Sequence, residues 1–338
     1  MSTALQFQLR PVGPWRIGAG ARAETGRIFP SDALYGAVCS AMGSLGWLDE
    51  WLDATARAEG DPAVRISSLF PAFQGDLLAP PPANLWPVPG AARSRAATLI
   101  PVRLIAALAT GKAFSDDSWE LEGDSHCLLK RGSRLNAGLF CSALRSHAAV
   151  DRLGDGVEVH HSACIEFHGD CRLWGIAQFA DPAGPWQSRI EACLRLLADT
   201  GLGGGRSKGW GGFVIERVSK GDTRSLLFGH NNELAAATSA EPSETGHWLL
   251  SLYNPAPADG IDWSRGSYRV FDRGGRVESR AGWGAEKKEL RMIGEGALLA
   301  STAVPRGRAA DVAPDGFGHP VYRAGFAVTT ELPLKVSA

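Results

Sequence analysis

Apolar and polar positions change period several times along this chain, and each change marks an element. Leu5 to Val12 alternates as a half-buried strand does. After a loop rich in Gly and Arg, Leu34, Ala37, Val38, Ala41, Met42 and Leu45 follow the i, i+3, i+4, i+7 spacing of a helix with one apolar face. Pro30-Ser31-Asp32 opens that helix with the residues that start helices, and small Gly36 and Ala37 let it sit close to a sheet. Further on, Val157 to Phe167, a His168-Gly169-Asp170 turn and Cys171 to Phe179 read as a hairpin. A second amphipathic helix, Trp186 to Asp199, lines up Ile190, Cys193, Leu194 and Leu197 and is ended by Gly201. Phe213 to Val218 then returns to strand.

This alternation of strands, helices and antiparallel hairpins predicts an α+β fold of two ferredoxin-like domains. The N-terminal domain is expected over 1–150 and the C-terminal domain over 151–338. Ala79-Pro80-Pro81-Pro82 through Gly90 can form neither a continuous helix nor a central strand, so it is an ordered surface crossing or a linker. Thr110 to Asp155 lacks sustained periodicity and reads as a long insertion. Asp222 to Gly246 is polar and reads as a variable loop.

The helix at 186–199 and the strand at 213–218 are joined by Thr200-Gly201-Leu202-Gly203-Gly204-Gly205-Arg206-Ser207-Lys208-Gly209-Trp210-Gly211-Gly212. A run of glycines can take positive φ, aim successive N–H groups at one point and let another backbone approach closely. Arg206 and Lys208 add charge for phosphate, Ser207 a hydroxyl, and Trp210 an indole that either stacks on a base or is buried against the sheet. The alternative is a loop whose glycines only satisfy tight turns. A P-loop is excluded because Gly204 leads to Gly209-Trp210 instead of Gly-Lys-Ser/Thr. A dinucleotide fingerprint is excluded because its glycines follow a strand and open a helix, the reverse of this order. A looser G-x-G-x-x-A match at 18–23 is separated from the next helix by Pro30. Arg16 and Arg22 there are expected to meet phosphates from the side opposite the second glycine loop.

Gly-Leu-Gly-Gly-Gly-Arg-Ser-Lys-Gly-Trp-Gly-Gly-Phe resembles the glycine-rich loop of the RAMP superfamily, the RNA-binding proteins of CRISPR effector complexes. Within it the chain is most similar to the subunit of type III-A Csm complexes that holds the crRNA 5′ tag. The resemblance extends over nearly the whole chain, through Pro30 to Val38, Arg65 to Pro71, Ala79 to Pro82, Ala149-Val150-Asp151-Arg152, Gly274 to Val277 and His319 to Phe326. It implies two RRM-like domains, each a sheet backed by helices, with a protruding hairpin or thumb near Val150-Asp151-Arg152. It also implies contacts with a large polymerase-like signalling subunit that makes cyclic oligoadenylate and with a backbone RAMP subunit, and an indirect relation to target RNA.

Composition constrains this reading. The chain has 338 residues, 44% hydrophobic, enough for two packed domains. No apolar run approaches the length of a membrane span, and the first ten residues alternate like a strand, so a cytoplasmic protein with no membrane partner is expected. Its six cysteines include no C-x-x-C pair and read as buried thiols. A net charge of -1 provides no overall basic field for a polyanion, but Arg265 to Arg291 holds eight cations against four acids.

The expected function is non-catalytic RNA binding, without metal or cofactor. Gly203, Gly204, Gly205, Arg206, Ser207 and Lys208, with Arg16 and the helix start at Ser31, would grip the tag backbone, and Arg152 would help displace a base at the tag–guide junction. The alternative is a metal-independent crRNA-processing endoribonuclease, which needs a general base and a cation. Of eight histidines, His147, preceded by Arg145, is the candidate base.

Overall fold

A computed structural model describes residues 4–18, 25–133, 138–150, 156–229, 234, 245–279 and 282–334. The chain begins with strand β1 (Ala4–Val12) and helices α1 (Ser31–Leu45) and α2 (Leu48–Ala54). Short strands β2 (Val64–Ile66), β3 (Phe70–Phe73), β4 (Asp76–Ala79) and β5 (Ile100–Pro101) lead to α3 (Val102–Ala109). Two hairpins follow, β6 (Trp119–Leu121) with β7 (Leu128–Lys130), and the long β8 (Phe140–Val150) with β9 (Val157–Phe167). Then come β10 (Arg172–Phe179), α4 (Trp186–Thr200), β11 (Gly212–Gly221) and α5 (Thr223–Phe228).

The main sheet runs in the order β11-β1-β10-β3-β4-β5, with β2 also paired to β10, and every pairing is antiparallel. β1 lies between β10 and β11, so the sheet crosses the expected division at residue 150. α1 buries Leu34, Val38, Ala41 and Met42, and α4 buries Ile190, Cys193, Leu194 and Leu197, the faces that the spacing predicts. Each such large side chain withdrawn from water contributes about 1.5–3 kcal/mol.

Two expectations are corrected. β9 pairs with β8 over eleven consecutive positions, and β10 joins the main sheet instead of β9. The cause is burial: Leu173 to Ala177 is buried on both faces and needs a central position, whereas the first residues of β9 are exposed. The polar stretch after β11 also contains α5, whose N-terminus is capped by the Asp222 carboxylate accepting from Ser225 N–H at 2.9 Å.

The remaining chain forms a second sheet from β12 (Thr245–Leu249), β13 (Ile261–Ser267), β18 (Leu298–Ser301) and β21 (Thr329–Pro333), in the order β13-β18-β12-β21. Between these strands lie three two-stranded pairs: β14 (Val270–Arg273) with β17 (Leu290–Ile293), β15 (Arg276–Ser279) with β16 (Gly282–Glu286), and β19 (Gly307–Asp311) with β20 (Tyr322–Phe326). No helix backs this sheet among the described residues 245–334, unlike the helix-backed sheet that the resemblance implies. Its cover comes from the first sheet's side, because one buried core joins Leu5, Phe7 and Trp174 to Trp248, Leu298 and Phe326.

The Pro-rich segment is an ordered connection from β4 to β5 of the main sheet and touches the second sheet. Leu85 and Trp86 are buried, and the Pro80 carbonyl accepts from Trp248 Nε1 at 3.1 Å. All six cysteines are free thiols, four of them buried. Burial pushes the Cys39 thiol up to about 11 and Cys127 and Cys193 to about 12.

Candidate nucleic-acid interface

Residues 14–17 form the strip on which the site is built. Trp15 exchanges both backbone hydrogen bonds with Ile165 of β9, at 2.9 and 2.7 Å, which fixes the base of the β8–β9 hairpin. Its neighbours bond elsewhere: the Pro14 carbonyl accepts from Gly211 N–H (3.0 Å) and the Arg16 carbonyl from Gly204 N–H (2.9 Å). The fully buried Trp15 indole packs against Phe29, Phe167 and Phe213 and donates Nε1–H to the Gly212 carbonyl at 3.0 Å. One short strip therefore ties the hairpin to the glycine-rich loop.

The loop is a built structure. Leu202 N–H donates to the Gly211 carbonyl at 2.9 Å and closes its neck. At Gly203, φ is +79° and a Cβ would stand 2.4 Å from the Arg16 carbonyl oxygen; at Gly211, φ is +83° and a Cβ would stand 1.9 Å from that of Leu202. Only glycine fits either position. Arg206 to Lys208 makes a single 3₁₀ turn between Gly205 and Gly209.

Part of the loop's amide set is used inside this framework. Gly204, Lys208, Gly209, Trp210 and Gly211 all donate to protein carbonyls. The groups turned outward are side chains: Ser207 and Lys208 are exposed and Arg206 is half-buried. Lys208 pairs with no acid among the described residues.

Arg16 is half-buried, and its Cδ lies 3.2 Å from where a Cβ on Gly204 would stand. Its side chain therefore lies beside the loop at Gly204. Arg22 and Arg152 lie outside the described residues.

Trp210 takes the second of its two sequence readings. It is 8% exposed, lies against Gly205 and packs 5.5 Å, centroid to centroid, from His147 of the hairpin. His147 in turn stacks on His160 at 5.3 Å, and its Nε2 is buried without a hydrogen-bond partner. Desolvation holds the His147 imidazole below the ordinary histidine value, helped by the charge of Lys208 and by His160.

Ser31 lies at the start of α1, under the residues that follow β12. It is 5% exposed; its N–H donates to Ser68 Oγ at 2.8 Å, and its hydroxyl accepts from Leu252 N–H at 3.0 Å. The second sheet covers the start of α1, so Ser31 joins the two sheets. Asp32 beside it pairs with Arg273 at 2.8 Å and Arg323 at 2.6 Å, and Ser68 Oγ donates to the Glu295 carboxylate. Burial pushes the Glu295 carboxyl up, and the Ser68 hydroxyl acts against that shift.

Sequence reasoning missed Pro14 and Trp15, which anchor both loop and hairpin. The available signal was Pro14-Trp15-Arg16 directly after a strand. Among the described residues no group of three or more His, Cys, Asp or Glu could hold a metal ion, and no helix is long and apolar enough to cross a membrane.

The fold is similar to that of known proteins. Residues 243–332 match the family model of the CRISPR Csm4 C-terminal domain. Over its full length the fold is similar to a chain in the crystal structure of the Csm3–Csm4 subcomplex of the type III-A CRISPR-Cas interference complex. That match has a TM-score of 0.62 and 15% identity, and covers 98% of this chain and 99% of that one. It is also similar to a chain in the Csm1–Csm4 cassette in complex with cA4, with a TM-score of 0.55, 15% identity and 99% of each chain covered. The same cassette with AMPPNP gives a TM-score of 0.54 at 16% identity, again over 99% of each chain. A comparison of the sequence with curated proteins gives no match. The chain is thus similar in fold, along its length, to chains of the Csm3–Csm4 and Csm1–Csm4 structures, and residues 243–332 match the model of the Csm4 C-terminal domain.

Proposed function

We propose that this chain is the RNA-binding subunit of a type III-A CRISPR (Csm) effector complex, holding the crRNA 5′ tag without cutting it. The observation that carries this reading is the rigid glycine-rich loop. It holds Ser207 and Lys208 outward beside Arg16, at the foot of a long hairpin. Exposed cations and a hydroxyl at fixed spacing suit a nucleic-acid backbone, which is positioned by phosphate contacts. In this reading the long hairpin would serve as the thumb that intrudes at the tag–guide junction. Splayed bases there would supply the tag's sequence information, since sequence-specific RNA recognition favours unstacked single strands.

The fold supports the finer class as well. In chain order, β1, β3, β10 and β11 stand in the spatial order 4-1-3-2 with α1 and α4 in the two crossovers, which is the ferredoxin-like arrangement. β12, β13, β18 and β21 repeat the same spatial order without helices among the described residues. The two ferredoxin-like units of this reading run from β1 to β11 and from β12 to β21.

The matched structures pair Csm4 with Csm3 and with Csm1. By that likeness the chain would join a backbone RAMP subunit to the large polymerase-like signalling subunit and meet target RNA only through the crRNA, in the cytoplasm. The packing of His147 supports a non-catalytic role. A general base must reach the 2′-OH, and His147 is held between Trp210 and His160 with its Nε2 buried. Incubating 5′-labelled crRNA with the purified protein tests this. The RNA should be retained at full length, whereas cleavage that His147→Ala abolishes would assign the chain to the endoribonucleases.

A further inference from the structure

The segment from β13 of the second sheet into β14 carries exposed aromatic rings that the loop does not explain. β13 is the edge strand of that sheet, and its pairing with β18 breaks between Asp262 and Gly266, so that Trp263, Ser264 and Arg265 bulge out of the ladder. The bulge is ordered locally, with Ser264 N–H and Oγ both donating to Asp262 Oδ1 at 3.0 and 2.6 Å. Such bulges re-aim side chains.

Here the extruded Trp263 ring meets Tyr268 edge-on at 5.1 Å, and the two remain 41% and 40% exposed. Three residues after Tyr268, Phe271 is 46% exposed, its ring resting on Gly294. Three large aromatic rings in open solvent within nine residues are a cost to an isolated chain unless something covers them.

The charge around them selects the cover. Of the eight cations from Arg265 to Arg291, Arg273 pairs with Asp32, Arg276 with Glu286, Lys288 with Asp315 and Arg291 with Asp272, and Arg265 and Arg269 are the two that alternate with the rings. Arg269, between Tyr268 and Phe271, is exposed and pairs with no acid among the described residues. Asp272 pairs with Arg291 at 3.4 Å. Aromatic faces interleaved with arginines are the chemistry that binds single-stranded nucleic acid without regard to sequence, through base stacking and phosphate attraction.

We propose that Trp263, Tyr268 and Phe271, with Arg265 and Arg269, form a second binding surface for single-stranded RNA, on a different sheet from the glycine-rich loop. It reads no sequence and needs no 5′ tag. This surface stands on its own observations and does not depend on the loop's ligand.

The test uses the full chain and a fluorescein-labelled oligouridine, which lacks the tag. Trp263→Ala/Tyr268→Ala should weaken oligouridine binding by roughly tenfold or more, since each stacked base contributes appreciably. Arg269→Glu, at an exposed position that folding does not require, should do the same. Lys208→Ala should leave most of it. Ultraviolet crosslinks to oligouridine should fall within 261–271. Wild-type oligouridine affinity in either platform variant, or no oligouridine binding by the parent chain, overturns the proposal. Crosslinks confined to 203–210 overturn it too and assign tag-independent RNA to the loop.

Discussion

The ring of His147 rests 5.5 Å from the indole of Trp210, so the long hairpin leans on the glycine-rich loop several residues beyond its own base. Near the hairpin's base, Trp15 bonds Ile165, and Arg16 bonds Gly204 one residue later. Loop and hairpin are therefore held at two levels, by backbone at the foot and by stacked rings higher up. A ligand lying across Lys208 would meet both as one surface.

The imidazole and Lys208 are electrostatically linked, and this gives a titration prediction. The folded state holds His147 below its ordinary value of 6.5, first by desolvation and then by the Lys208 charge. The neutral ring is thus the form the fold favours. The contribution of this contact is present above the ordinary value and is lost as pH falls below it, when the unfolded state takes up the proton more readily. Lys208→Ala should raise the His147 pKa, read from its imidazole proton shifts by NMR. An unchanged or lowered value would mean that the two groups are not neighbours.

Glycine requirements within the loop should be sharply uneven. Gly211→Ala forces a Cβ into the Leu202 carbonyl and should lower stability by about 3 kcal/mol or more. Gly209 has the same left-handed φ, +78°, but open space around it, so Gly209→Ala should lose only about 1–2 kcal/mol. Urea denaturation of the two variants measures the difference, and equal losses would contradict the loop geometry.

Much of this arrangement was legible in the sequence. The period of Leu34, Val38 and Met42 located α1, and Gly201 marked the end of α4, because burial and helix termination are local effects. The loop's chemistry was likewise visible in Arg206-Ser207-Lys208. Strand partners were not legible, since β9 and β10 each carry enough apolar residues to pair with the other. Only the requirement that Leu173 to Ala177 be buried on both faces sends β10 to the main sheet. The partners of Ser31 were hidden for a similar reason. A helix start with Ser and Asp is equally suited to a ligand and to a second sheet, and the residues that cover it, Leu252 and Arg323, are more than two hundred positions away.

Asp32 should behave as the electrostatic tie between α1 and the strands β14 and β20. Its side chain is 3% exposed and that of Arg323 6%, so Asp32→Asn leaves a buried guanidinium without its counter-charge. Breaking one side of such a pair costs about 3–5 kcal/mol, and the urea midpoint should fall accordingly. A loss below about 1 kcal/mol would show the pair to be solvated.

Ser31→Ala separates structure from binding. Removing a buried hydroxyl that accepts from Leu252 N–H should lower stability by about 1–3 kcal/mol. RNA affinity, measured well below the unfolding midpoint, should stay at the parent value. A selective loss of affinity with stability unchanged would return Ser31 to the binding surface.

The most direct test of the central claim is the affinity of the purified protein for 5′-labelled crRNA with and without its tag. It compares the parent chain with Arg206→Ala/Lys208→Ala at two salt concentrations. The loop account predicts tighter binding of the tagged RNA, a loss of that preference in the double variant, and a shallower salt dependence, by about 0.7 in log–log slope per phosphate contact removed. Equal affinity for both RNAs in the parent chain, or an unaltered preference in the double variant, would contradict it.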